Sequence, residues 1–396
     1  MSKRFMFEKP LGMRDTFPII YETKQSMKKR INKTMEMWGY RFLETPTLEF
    51  YETVGAASST MDQQLFKLLD QQGHTLVLRP DMTAPIARVA SSKLLNDQIP
   101  LRLAYSANVF RAQQNEGGRP AEFEQAGIEL IGDPTISADA EVIALMVSVL
   151  RDAGLENFQI SIGHIGFVQD LFIQILGNKE RANELSGFLF DKNFVGYRQH
   201  VSSLGLSSID KERLMKFLQI RGTHEVIEQA YDLIENNQGK QALIQLEELW
   251  NQLEEYGISE YVKLDLSLVS HLSYYTGILF EVYAEKVGSP IGNGGRYDKL
   301  LGKFGKDTVA TGFGLRLDYL IEAIEVLEKP SSTHCILFSA ERRKEAFQQA
   351  RDMRLQGKYV LAQDIAGVQD VDRFTKSFSD VTYLIGAAPD REGIRS

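Results

Sequence analysis

LVSHLSYYTGILFEVYAEKVGSPIGNGGRYDKL, residues Leu268 to Leu300, reads as a β-hairpin built to face a small ligand. Tyr274, Tyr275, Thr276 and Gly277 lead into Ile278 to Tyr283, an apolar and aromatic run of strand length, and Gly288, Ser289 and Pro290 mark a turn. A second strand follows directly. Ile291, Gly292, Asn293, Gly294 and Gly295 carry almost no side chain, which in a strand signals close approach of another backbone or of a ligand. A tight core hairpin and a ligand face both fit these residues.

The chain around this hairpin has 396 residues, 43% hydrophobic and 25% charged, an ordinary balance for a globular protein of two or three domains. The formal net charge of -8 argues against a broad basic surface for nucleic acid. Cys335 is the single cysteine, so no internal disulfide can form, and six scattered histidines give no metal-ligand spacing. With neither a signal core nor an apolar run of membrane length, the expectation is a soluble, cytoplasmic protein.

Upstream, an amphipathic helix spans Ile19 to Trp38, with Met27, Ile31 and Met35 at four-residue spacing and Gly39 at its end. Two strand-like runs between Leu65 and Leu78 flank Gln71, Gln72 and Gly73 as a hairpin. Thr83 suits a helix N-cap, with Pro85 in the first turn, so Asp81 falls where a strand passes into a helix. It would serve there as a ligand contact or as an aid to the cap. From Leu101 to Gly132 a strand, a polar glycine loop and a return strand follow. Phe123, Gln125, Gly127 and Glu129 share one face of the return strand. If helices cover the opposite face, Gln125 and Glu129 point to water; otherwise they line a polar pocket. Ser137 would cap the next long helix, which Gly154 ends.

Residues 166–257 change texture to successive helical patterns, an all-helical insertion between β-rich segments. Val309 to Gly314 reads as a last strand and Leu315 to Leu327 as a helix. After Lys329, Pro330, Ser331 and Ser332, the tail alternates strand, helix, strand, helix, strand, a small α/β unit. From Thr333 it holds ten Lys and Arg against nine Asp and Glu, a poor electrostatic footprint for RNA.

Several motifs, in order, resemble the class II aminoacyl-tRNA synthetases, specifically the histidyl-tRNA synthetase lineage. GMRDTFP with the first helix and ETPTLE is similar to the dimer-forming first motif, and LRPDMTAPIAR to the LRPEGT segment. VFRAQQNEGGRPAEFEQAGIE is similar to the second motif, and SYYTGILFE with GNGGRYDKL to the histidine-specific segment. The resemblance implies an α+β fold, an antiparallel sheet of six or seven strands flanked by helices, and a homodimer through the N-terminal motif. The implied division is 1–165 with 258–328 as the synthetase-like core, 166–257 as the helical insertion, and 329–396 as linker and shortened C-terminal α/β domain.

Carried over residue by residue, the resemblance implies a histidine pocket. Asp81, where the family has Glu, would meet the ammonium group together with Thr83, Gln125 and Glu129. Arg111 matches the arginine that reaches the carboxylate, and Tyr274 and Tyr275 match the tyrosines beside the imidazole. The nucleotide half departs from the family. Ser270 replaces the catalytic arginine, Tyr319 the arginine of the third motif, Gln113 an acidic residue and Ala121 an arginine, while Arg119 and Phe123 remain. Arg316 would share Tyr319's side of a helix, one turn earlier. Phosphoryl chemistry needs fixed cations opposite the developing charge, so the departures imply loss of amino-acid activation. No catalytic residue, metal or cofactor is expected.

A histidine-binding core without activation chemistry and with a shortened tail is similar to the regulatory subunits of ATP phosphoribosyltransferase. That likeness implies a short-form catalytic subunit as partner in a hetero-oligomer, and L-histidine as feedback effector. A divergent histidyl-tRNA synthetase and a tRNA-sensing module are the alternatives; the neutral tail weighs against tRNA.

Overall fold

The structure, a computed structural model, describes residues 8–95, 99–112, 119–270, 274–324 and 333–386. Gln113 and the linker 329–332 lie outside the described residues. The chain divides into two compact units, Met1–Val326 and Leu327–Ser396.

The first unit opens with helix α1 (Pro18–Met37), whose proline occupies a first-turn position where no N–H is needed. Met27, Ile31 and Met35 form its buried stripe. Gly39 ends it with φ 85°, a conformation open to glycine, as Tyr40 N–H closes on Met35 O at 3.1 Å. Strand β1 (Arg41–Phe42) follows, then a small sheet of β2 (Leu48–Phe50), β3 (Lys67–Leu69) and β4 (Thr75–Leu78) in the order β2-β4-β3. Helix α2 (Thr83–Val89) leads to the long pair β5 (Leu101–Phe110) and β6 (Glu122–Ile131).

Helix α3 (Ile136–Ala153) is buried nearly all round and ends at Gly154 with φ 98°. Its N-cap is Thr135, and Ser137 lies inside the first turn, contrary to the expected cap. Asp133 Oδ1 organises the entry by accepting from Thr135 N at 2.9 Å and Thr135 Oγ1 at 2.6 Å.

Strand β7 (Phe158–His164) passes into the insertion: α4 (Ile165–Leu176), α5 (Lys179–Phe190), α6 (Phe194–Ser203), α7 (Ser208–Phe217), α8 (Val226–Tyr231) and α9 (Asn237–Glu255). It is helical except for the two-residue strand β8 (Arg221–Gly222), between α7 and α8. Strands β9 (Val262–Asp265), β10 (Ile278–Ala284), β11 (Gly292–Arg296) and β12 (Ala310–Arg316) and helix α10 (Leu317–Ile324) complete the unit.

The main sheet has nine strands in the order β1-β5-β6-β12-β11-β10-β7-β9-β8. From β5 to β7 it is antiparallel, as the resemblance implies; β1 pairs in parallel with β5, β9 in parallel with β7, and β8 closes the far edge antiparallel to β9. Both faces are covered. Ala126, Ile128 and Leu130 join Met27, Ile31, Val142 and Ile143 in the large core under the helices. On the other face Tyr105, Val109 and Phe123 pack with Met82, Ile86, Tyr274, Tyr297 and Leu300. Each fully buried Ile or Leu contributes about 1.5–3 kcal/mol. Because the second face is covered as well, Gln125 and Glu129 meet the polar-pocket alternative even though helices cover the opposite face: Glu129 is 1% exposed. Buried Asp139 of α3 fastens β11 through Arg296, whose Nε and Nη2 donate to Asp139 Oδ2 at 2.9 and 2.7 Å.

In the second unit β13 (His334–Phe338), α11 (Arg343–Leu355), β14 (Val360–Asp364), α12 (Val371–Thr375) and β15 (Asp380–Leu384) follow the expected alternation. The strands form a parallel sheet, β14-β13-β15, with Cys335 buried in the middle strand and Ala346 and Ala350 of α11 packed upon it.

Candidate functional site

Between the sheet and α2 lies an enclosed polar cavity. Its wall includes Asp81, Thr83, Arg111, Gln125, Glu129, Tyr274 and Tyr275, so every residue assigned to the pocket from the sequence converges there from distant segments.

Asp81 follows β4 by three residues. Its Oδ1 accepts from Ala84 N at 3.0 Å in the first turn of α2, and its Oδ2 accepts from the Ser58 hydroxyl. The capping role expected of Thr83 therefore belongs to Asp81, which also faces the cavity. Thr83 instead turns its hydroxyl to Glu129 and Tyr274.

Glu129 accepts from the Tyr297 hydroxyl. Burial pushes its carboxyl up to about 8, against the pull of the hydrogen bonds from Tyr297 and Thr83, and nearby Asp81 adds to the rise. At neutral pH Glu129 is thus mostly protonated. Four residues back on the same face, Gln125 keeps a buried Oε1 without a hydrogen-bond partner. Arg111, just beyond β5, donates from Nε to Pro80 O at 2.9 Å. Burial lowers its basicity while Asp81 opposes that. The rings of Tyr274 and Tyr275 meet edge to face at 5.0 Å, and Tyr274 meets Tyr297 at 5.7 Å.

Tyr105, Asn293, Tyr297 and Phe313 also line the cavity and were not singled out from the sequence. Tyr297 stands within GNGGRYDKL and was legible there as the aromatic after the glycine strand. The space itself comes from glycines other than those expected. A Cβ on Gly312 would lie 2.1 Å from Glu129 Oε2, and one on Gly314 would lie 2.1 Å from Gln125 Nε2. In β11, by contrast, a Cβ on Gly294 would strike Phe280 Cζ at 2.3 Å and one on Gly292 would strike Leu315 Cδ2 at 2.4 Å. Those two glycines serve core packing, and Asn293 alone of that strand reaches the cavity.

Several side chains that the resemblance assigns to a nucleotide half pack against one another. Arg316 is the last residue of β12 rather than a helical residue, which corrects the expected placement. Its guanidinium lies between the rings of Phe123 and Tyr319, 3.8 and 3.9 Å from their centres. Asp318 holds it with contacts of 3.2 Å at Nε and 2.7 Å at Nη2. Ala121 is fully buried, with its N–H on Gly12 O at 2.8 Å, and Ser270 is also buried. Among the described residues no cluster of three or more His, Cys, Asp and Glu is placed to hold a metal, and no helix is long and apolar enough to cross a membrane.

A family model described as histidyl-tRNA synthetase matches residues 12–320, and one described as the C-terminal domain of histidyl-tRNA synthetase HisZ matches residues 335–386. Relatives called ATP phosphoribosyltransferase regulatory subunit are 58% identical over 388 residues in both Bacillus licheniformis and Bacillus subtilis, covering 98% of this chain and 99% of theirs. The chain belongs to the family of ATP phosphoribosyltransferase regulatory subunits. A solved structure from Bacillus halodurans, described as an ATP phosphoribosyltransferase regulatory subunit/histidyl-tRNA synthetase, superposes with TM-score 0.91 at 56% identity, covering 98% of this chain and 100% of that one. The histidyl-tRNA synthetase from Nostoc shares the fold, with TM-score 0.78 at 20% identity over 94% of this chain and 88% of that one. As a member of a regulatory-subunit family, the chain is non-catalytic, and its synthetase-like fold is turned to regulation.

Proposed function

We propose that this chain is the histidine-sensing subunit of an ATP phosphoribosyltransferase in histidine biosynthesis. It is required by a short catalytic subunit for the first step and carries the feedback inhibition of that step. L-Histidine occupies the cavity of Asp81, Thr83, Arg111, Gln125, Glu129, Tyr274 and Tyr275. The observation that carries this reading is the pairing of buried Asp81 and Glu129 in one enclosed cavity with the unsatisfied Gln125 oxygen. An ammonium group adds N–H donors and a second positive charge beside Arg111, and returns Glu129 to its carboxylate form. Arg111 receives the ligand carboxylate, and the tyrosines flank a flat imidazole.

Feedback then requires that histidine bind one arrangement of the complex more tightly than another, since equal affinity shifts nothing. The functional division is a core of 1–165 with 258–328, an insertion of 166–257 and a tail of 329–396. The core dimerises through its N-terminal motif, in the cytoplasm, and tRNA plays no part.

The test is reconstitution with a short catalytic subunit and assay of phosphoribosyl transfer with and without histidine. Asp81→Ala and Glu129→Ala are expected to leave the complex assembled and remove histidine inhibition. Normal inhibition in both variants would exclude this cavity as the effector site, and no complex would exclude the partnership.

A further inference from the structure

His164 ends β7 on the face that carries Ile160 and Ile162, so its ring points into the helical insertion. It is 5% exposed, and burial lowers its pKa to about 4, which keeps the imidazole neutral. Its Nε2 lies 2.9 Å from Gln245 Oε1 of α9. An amide oxygen only accepts, so Nε2 holds the ring proton and Nδ1 offers a lone pair. That Nδ1 is buried without a hydrogen-bond partner. On α4, Asp170 Oδ2 is likewise buried and unpartnered. Both residues line a cavity of ≈ 260 Å³ between α4 and α9, with Gln169, Ile173, Gln241 and Gln245. Gly239, near the start of α9, leaves room for the carboxylate: a Cβ there would sit 2.8 Å from Asp170 Oδ2.

Both orphaned atoms are acceptors, and no lysine or arginine lines the cavity to match the carboxylate. Water could satisfy the hydrogen bonds but would leave that charge uncompensated except by the amino end of α9. Anions are disfavoured by Asp170. A complementary ligand brings positive charge and at least two N–H donors, while glutamine amides accept further donors and Ile173 offers an apolar wall to a short carbon chain. We propose that the groove between α4 and α9 is a second binding site, for a small organic cation of the primary ammonium or guanidinium class, held by His164 Nδ1 and Asp170. It shares no residue with the cavity of Asp81 and Glu129.

The experiment is calorimetric titration of the full chain with n-butylammonium and methylguanidinium, with butyrate as the anionic control at equal ionic strength. At least one cation is expected to bind saturably, one per chain, and butyrate not at all. Asp170→Asn, which keeps the shape and removes the charge, should weaken binding at least tenfold. Ile173→Trp fills the cavity from a position that is 39% exposed and tolerant of a larger side chain, and should abolish binding. Asp81→Asn should leave it unchanged. The proposal is overturned if neither cation saturates, if butyrate binds equally, if both groove variants bind like the parent, or if binding is lost in Asp81→Asn and kept in Asp170→Asn.

Discussion

The guanidinium of Arg316 lies 3.8 Å from the centre of the Phe123 ring, so a cation of the chain itself packs on the aromatic residue that the synthetase resemblance retains in its second motif. The same guanidinium lies 3.9 Å from the centre of the Tyr319 ring, so one cation contacts both aromatic rings.

Removing that cation tests whether the stack is structural. Arg316→Ala should lower stability in urea denaturation by about 1–3 kcal/mol, the sum of two cation-π contacts and a partly exposed ion pair. ATP-pyrophosphate exchange should stay at background in the same variant, because Ser270 and Tyr319 still lack the charges that activation needs.

Glu129 gives a pH signature of definite sign. Its carboxyl is raised from an ordinary 4.5 to about 8 in the folded chain, so between those values the folded state holds the proton and the unfolded state has released it. Its contribution is therefore most favourable below the unfolded value and declines as pH rises, by up to about 1.4 kcal/mol per pH unit within that window. Glu129→Gln should remove the decline. Denaturant midpoints of parent and variant at several pH values check this, and parallel curves would show that Glu129 does not titrate as described.

Two glycines separate packing from the site. Gly312→Ala and Gly294→Ala should each destabilise by about 1–3 kcal/mol through overpacking, measured by thermal or chemical unfolding. Only Gly312→Ala, whose methyl would press on Glu129 Oε2 at 2.1 Å, should also weaken histidine binding directly, as read by calorimetry.

The buried pair of Arg296 and Asp139 carries a larger stake. Asp139→Ala leaves the guanidinium in the core with the backbone acceptors Asp133 O and Thr135 O, at 3.1 and 2.9 Å, and the more distant Asp298 carboxylate at 3.6 Å. A loss of about 3–5 kcal/mol is expected in denaturant unfolding. Replacing both partners by apolar residues should recover much of it.

What could be read from the chain alone follows from the range of the forces involved. The amphipathic stripe of α1, the hairpin of β10 and β11 and the alternation of the tail are set by local periodicity and turn residues, and all were legible. Helix entries were not: Thr83 and Ser137 have the right chemistry for a cap, but the N-cap positions fall on Met82 and Thr135, with Asp81 accepting from the first turn of α2. The burial of Glu129 depends on a second cover formed by α2 and by the segment of Tyr274 and Tyr297, which no strand pattern encodes. Likewise the glycine run of β11 looked like the ligand face, whereas Gly312 and Gly314 across the ladder make the space. The pocket residues themselves were legible through motif order, since motifs preserve chemistry that composition does not express.

The cavity wall runs from Asp81 to Gly314, and β12 supplies the last pieces. During synthesis, then, the cavity wall is complete only once β12 has left the ribosome and inserted between β6 and β11. Long-range strand pairing of this kind is slow to form. A complete cavity is therefore the mark of a chain whose central sheet has closed from end to end.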